Sequence, residues 1–186
     1  VNGNIFMEHL SGMIGGQLVI KRGRGGGTII SKKPTFRPDR VFSAAQLAQQ
    51  QAFREATAYA RAMKREPIYL AKANGSAQTG YNVAVADWFN WPEILEIDLS
   101  GWAAEGGGVI RVRAQDDVKV QQVKVIINDE NGALLEEGLA SETSALWWEY
   151  HTAQPAAGNL RVTAAAMDLP GHVTERAEIV GHPRIP

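Results

Sequence analysis

There is no cysteine among the 186 residues, which removes thiolate nucleophiles, disulfide staples and cysteine-ligated zinc or iron–sulfur sites. That absence leaves the redox compartment open. No apolar run reaches the ~20 residues that a membrane-spanning helix needs, so no membrane span is expected. The opening "VNGNIFMEHL" lacks the charged-then-apolar pattern of a secretory signal. Val1 therefore reads either as a processed terminus, which places the protein outside the cell or on its surface, or as the start residue, which places it in the cytoplasm. Histidine is scarce: His9, His151, His172 and His182 are scattered, and none has the i, i+4 partner of a helical zinc site. No Gly-x-Ser-x-Gly elbow is present, and a set such as Ser144, His151 and Asp168 can be drawn on any chain this long. The loop "RGRGGGT" lacks the Lys-Ser or Lys-Thr ending of a phosphate-binding loop and does not open a helix. These absences lead to the expectation of a non-enzymatic chain with no catalytic residue, no cofactor and no metal.

What is present is divided unevenly. Residues 1–91 carry twelve Lys or Arg against five Asp or Glu (12 − 5 = +7), and residues 92–186 carry seven against fifteen (7 − 15 = −8). The overall charge of −1 hides this polarity. The halves can attract one another, within a chain or between copies, over about a Debye length of ~8 Å at physiological salt.

In the basic half, "QLVI" and "TIIS" are β-type runs separated by a glycine- and arginine-rich tip, which reads as a β-hairpin. After "KKPTFRPDR", the Ser43-x-x-Gln46 spacing is a capping box that opens a helix, with Leu47, Phe53, Ala56, Ala60 and Met63 on its inward face. A second short helix is expected over Ile68–Ala73. A third is expected over Tyr81–Phe89, with Tyr81, Val85 and Trp88 or Phe89 turned inward.

Beyond Pro92 the apolar period drops to two. About seven short alternating segments, "EILEIDL", "GVIRVRAQD", "KVQQVKVIIND", "GALLEEGLA", "ALWWEYHT", "NLRVTAAAMD" and "HVTERAEIV", are separated by turn signals such as "DENG", "PAAGN" and "LPGH". This is the pattern of an antiparallel sandwich of the immunoglobulin-like kind. Val118, Val120, Val123, Val125 and Ile127 mark a buried face whose phase shifts at Gln121-Gln122, the sign of a bulge. Trp147 or Trp148 is the expected large core aromatic. The predicted fold is thus an α+β N-terminal module over 1–91, a β-hairpin plus about three helices, followed by an all-β immunoglobulin-like sandwich over 92–186.

The stretch "RVRAQDDVKVQQVKVIINDENGALLEEG", with "VTAAAMDLPGHVTE" some forty residues later, resembles the bacterial immunoglobulin-like or fibronectin-like domains appended to surface and extracellular proteins. In that family an Ala-x-Asp-x-x-Gly-Asn-x-Thr turn ends the penultimate strand, and here His172 stands at the asparagine position. Some related sandwiches bind calcium through clustered carboxylates. Asp116 and Asp117, with Asp129 and Asp168, lie at strand ends, but their spacing lacks a dedicated calcium loop, and turn capping is the commoner role. Residues 10–90 are similar to a group of small uncharacterised bacterial proteins that pair a Gly-rich hairpin with a Gln- and Ala-rich helix. That resemblance implies no activity.

A two-stranded hairpin is marginal alone and must pack on something or add to another sheet. If the neighbour is another copy, the contact is heterologous and repeats into a fibre. The expected function is a self-assembling structural protein, a filament subunit and homopolymer whose partner contacts are Leu18, Val19, Ile20, Lys21, Arg22, Arg24, Thr28, Ile29, Ile30, Lys32, Lys33 and Arg37. The alternatives are nucleic-acid binding by the Arg/Gly hairpin, whose cations would neutralise phosphates, and a monomeric cell-surface binding module.

Overall fold

The computed structural model describes residues 11–23, 27–36, 39–102, 107–153 and 158–182. Three strands come first: β1 (Gly12–Ile14), β2 (Leu18–Arg22) and β3 (Thr28–Lys32), paired antiparallel in the order β1-β2-β3. The expected hairpin is thus two strands of a three-stranded sheet. β1 escapes the sequence reading because its three residues, Gly-Met-Ile, are too short to display a period of two. Gly15 and Gly16 join it to β2 with φ of 56° and 69°, and the Gln17 amide donates to the Ile14 carbonyl over 3.2 Å. A left-handed pair of this kind matches the twist of the flanking strands.

Helix α1 (Ala44–Met63) opens with the expected capping box: the Gln46 amide donates to Ser43 Oγ, and the Ser43 amide to Gln46 Oε1 over 3.0 Å. α2 (Pro67–Ala73) carries proline in its first turn, where a missing N–H costs nothing. α3 (Gly80–Phe89) is capped by Thr79, whose Oγ1 accepts from the Asn82 amide. Among the described residues, no helix is long and apolar enough to cross a membrane.

The helices share a small core of Ala60, Tyr69, Val83 and Ala84. Two inward faces differ from expectation. On α1, Ala56 and Ala60 are buried, whereas Leu47 and Phe53 are more than half exposed, and Phe53 stacks on Phe89. On α3 the fully buried positions are Gly80, Val83, Ala84 and Asp87, while the expected Tyr81 and Val85 pack half-buried against the same core and Phe89 is exposed. Close approach selects small residues at both contacts. A Cβ built on Gly80 would lie 2.6 Å from the Lys64 carbonyl oxygen at the end of α1.

Eight strands follow: β4 (Glu93–Asp98), β5 (Val109–Gln115), β6 (Val120–Asn128), β7 (Leu134–Leu139), β8 (Ser141–Ser144), β9 (Trp147–His151), β10 (Gly158–Asp168) and β11 (Val173–His182). They form two four-stranded antiparallel sheets, β4-β5-β9-β8 and β11-β10-β6-β7, closed on one core as a β-sandwich. Ile110, Val112, Val123, Val125, Ile127, Leu160, Val162 and Ala164 fill its centre, and Trp148 rather than Trp147 is buried there, together with Trp102. Opposite Met167 and Asp168 the register jumps from Gln122 to Val120, so Gln121 is the bulged residue. The short strand β8 was not separated from its neighbours by the sequence pattern, because all four of its residues are exposed and polar.

Side chains from the sandwich enter the helical core. Val118, from the β5–β6 turn, and Leu169, from the β10–β11 turn, pack against it. In the same region His172 stacks flat on Trp91, with centroids 5.0 Å apart, and meets Trp88 edge-on. Its Nδ1 lies 3.0 Å from Oδ2 of the buried Asp168.

Candidate functional site

The N-terminal sheet gathers most of the predicted contact residues into one ladder. Leu18 faces Lys32, Val19 faces Ser31, Ile20 faces Ile30, Lys21 faces Ile29 and Arg22 faces Thr28. Lys33 continues the pairing, its amide donating to the Gln17 carbonyl over 2.7 Å. Arg24 and Arg37 lie outside the described residues. Across the three strands only Ile20 is buried. Met13, Ile14, Leu18, Ile29 and Ile30 are all 40% exposed or more. Among the described residues β1 and β3 each pair only with β2, so both edges present unpaired main-chain groups.

A second open edge lies on the sandwich. β7 pairs only with β6 among the described residues, and it exposes Leu134, Leu135 and Leu139. Glu137 on this strand lies 2.9 Å from Lys124, and Glu136 accepts from the Tyr150 hydroxyl over 2.8 Å and from the Ala153 amide. Tyr150 packs so closely that a Cβ on Gly138 would lie 2.6 Å from its ring. Burial, the bond to Glu136 and that residue's negative charge push the Tyr150 pKa up to about 12. Strand β8, which ends the other sheet, is polar throughout.

A third feature was not foreseen. Asp87 is fully buried in α3, and its Oδ2 accepts from the Tyr69 hydroxyl, which in turn lies 2.6 Å from the Tyr59 hydroxyl. One carboxylate oxygen each from Asp87, Asp116 and Asp117 lie within 4.8 Å of one another. Burial raises the Asp87 pKa to about 7; the Tyr69 bond opposes this, and the negative charges of Asp116 and Asp117 add to it. The signal lay in "VAVADWF", where an aspartate occupies an inward position of an otherwise apolar helix. A buried carboxylate is costly unless it is paired, hydrogen-bonded or bound to a metal.

The sequence grouping of Asp116 and Asp117 with Asp129 and Asp168 does not hold. Asp129 turns back onto the amides of Asn131 and Ala133. Asp168 accepts from the Gly171 and His172 amides and faces the His172 ring, so it is not paired with His151, which is exposed at the end of β9. Both act as turn caps.

The fold defines the chain as a β-sandwich protein with a helical layer and an additional small sheet. No protein-family model matches it, and no curated protein does. Solved structures similar to it include CopC from Methylosinus trichosporium OB3b, at 18% identity and a TM-score of 0.40 over 51% of this chain and 97% of that one. A tetra-tandem repeat in the extending region of a large adhesion protein is 18% identical, with a TM-score of 0.35 over 49% of this chain and 23% of that one. An engineered protein is 18% identical, with a TM-score of 0.39 over 55% and 26%.

Proposed function

We propose that this chain is a non-enzymatic structural subunit that joins other copies of itself head to tail, the β1–β3 sheet of one copy adding to the β7 edge of the next. The observation that carries this reading is the near-total exposure of a three-stranded apolar sheet in which only Ile20 is buried. A sheet this small needs a hydrophobic face to be covered before it is stable. The β7 edge fits as acceptor because its exposed leucines match the exposed isoleucines, and because it belongs to the −8 half while the sheet belongs to the +7 half. Donor and acceptor are different surfaces, so the contact repeats without closing and yields a polymer. We read the sandwich as immunoglobulin-like; its strand order, β4-β5-β9-β8 against β11-β10-β6-β7, supports that assignment.

The test uses two variants. Deletion of residues 16–31 removes the donor and leaves the acceptor, whereas Leu134→Arg with Leu139→Arg blocks the acceptor and leaves the donor. Sedimentation across a concentration series should show wild type forming higher-order species and each variant alone remaining monomeric. Mixing the two should give a 1:1 pair that grows no further. A wild type that stays monomeric at high concentration across salt and pH refutes the proposal. Tight, steeply salt-dependent binding of a generic duplex by that monomer would replace it with nucleic-acid recognition.

A further inference from the structure

Each carboxylate of the Asp87, Asp116 and Asp117 cluster is half satisfied. Asp87 Oδ2 is held by the Tyr69 hydroxyl, Asp117 Oδ2 by Asn90 Nδ2 at 3.0 Å, and Asp116 Oδ2 by the amides of Val118 and Lys119, both at 2.9 Å. The three remaining oxygens, Oδ1 in every case, are shut off from solvent and have no hydrogen-bond partner. Asp87 is entirely buried, so its Oδ1 cannot recover the lost hydration. The protein has thus fixed three side chains by one oxygen each, through four donors, and left three buried acceptors unanswered in a cluster whose carboxylates each bring one oxygen within 4.8 Å of the others. Orphaned acceptors of this kind are rare in folded proteins and call for a specific occupant.

We propose that this cluster is a binding site for a hard divalent cation, calcium in the first place, which joins helix α3 to the β5–β6 turn. The ligand chemistry selects the class: the cluster offers only carboxylate oxygens, without histidine or cysteine, and such donors suit calcium and magnesium rather than zinc or copper. Calcium is the better fit because the site is largely closed, and magnesium gives up its water reluctantly. The cation supplies the positive charge that three converging carboxylates otherwise lack.

The location gives the site a structural consequence. Asp87 sits on the helical layer, and Asp116 and Asp117 sit on the sandwich, next to Val118, which already packs into the helical core. A bound ion therefore fixes how the helices are seated on the sandwich. Tyr69, bonded to one of the ligands, and Tyr59 beside it also place phenol rings close enough to sensitise a luminescent lanthanide held there.

The experiment uses the full chain, stripped of metal by chelation and kept at a concentration where it is monomeric, so that its outcome is independent of assembly. Thermal unfolding is followed as calcium chloride or magnesium chloride is added, and terbium is titrated in parallel with detection of its sensitised emission. Calcium should raise the melting temperature with each further decade of concentration above its dissociation constant. Terbium emission should grow, and calcium should quench it by competition. In the variant Asp116→Asn with Asp117→Asn, which keeps the side-chain shapes, both responses should be lost. Asp117→Asn alone, a milder change, should weaken calcium binding at least tenfold and keeps the test valid if the double variant folds poorly. Wild type with neither a calcium-dependent melting shift nor terbium emission overturns the proposal, as does an equal response in a folded double variant. A response to magnesium without one to calcium overturns the choice of ion. Stabilisation by acid alone, with no cation effect, replaces the site with carboxyl groups sharing a proton.

Discussion

Replacing Gly80 by alanine tests whether the helical layer is held by close backbone contact. The new Cβ would stand 2.6 Å from the Lys64 carbonyl oxygen and 3.3 Å from Leu70 Cδ2, against the 3.4 Å where ordinary contact begins. About 0.8 Å must be found, and the main obstacle is the end of helix α1 rather than a side chain that can swing away. Overpacking of this kind costs ~1–3 kcal/mol. Alanine returns roughly 0.4–1 kcal/mol by restricting the unfolded chain, which leaves a net loss of about 1–2 kcal/mol. For a chain of this length each kcal/mol lowers the midpoint by ~2–4 °C, so calorimetry should show a fall of about 2–8 °C. Gly27→Ala is the control: nothing lies within 4 Å of its Cβ position, and its φ is not left-handed, so its midpoint should stay within about 2 °C of wild type. A Gly80→Ala protein that melts with or above wild type would refute the packing argument.

Three further outcomes are expected. Gly138→Ala should cost ~1–3 kcal/mol in urea unfolding, because its Cβ would press on the Tyr150 ring. Most of that cost should vanish in a Tyr150→Leu background, where a double-mutant cycle reads the coupling. Ser43→Ala should remove about 1 kcal/mol by opening the α1 capping box, measured as stability and as helical circular dichroism. Tyr150 holds its proton in the folded chain up to about pH 12, whereas the unfolded chain releases it near 10, so stability should fall as pH rises through that window. At ~1.4 kcal/mol per pKa unit the loss from Tyr150 approaches ~2–3 kcal/mol by pH 12. Burial raises the pKa values of Tyr59 and Tyr69 as well, so Tyr150→Phe should make the slope between urea melts at pH 9 and 11 shallower without abolishing it.

Interactions that are local in the chain were legible without coordinates. The Ser43–Gln46 box, the strands that begin at Glu93 and the bulge at Gln121 all follow from residue types within a few positions of one another. Backbone propensity and side-chain period act over that range, and so they can be read from the order of residues alone. Each element that was missed lacks such a signal: β1 is three residues long, and β8 has no apolar face.

Tertiary structure decided which face of each helix was buried and which carboxylates met. The pattern on α1 put Leu47, Phe53, Ala56, Ala60 and Met63 on one inward face, and the approach of α3 buried only Ala56 and Ala60 fully and left Leu47 and Phe53 exposed, because only small side chains allow two backbones so close. Asp116 and Asp117 were visible as a pair at a strand end. Their partner proved to be Asp87, which a helix brings to them from some thirty positions away, rather than Asp129 or Asp168, which satisfy their own turns. Burial is a property of what stands opposite, and a chain read one residue after another carries no record of what will stand opposite it.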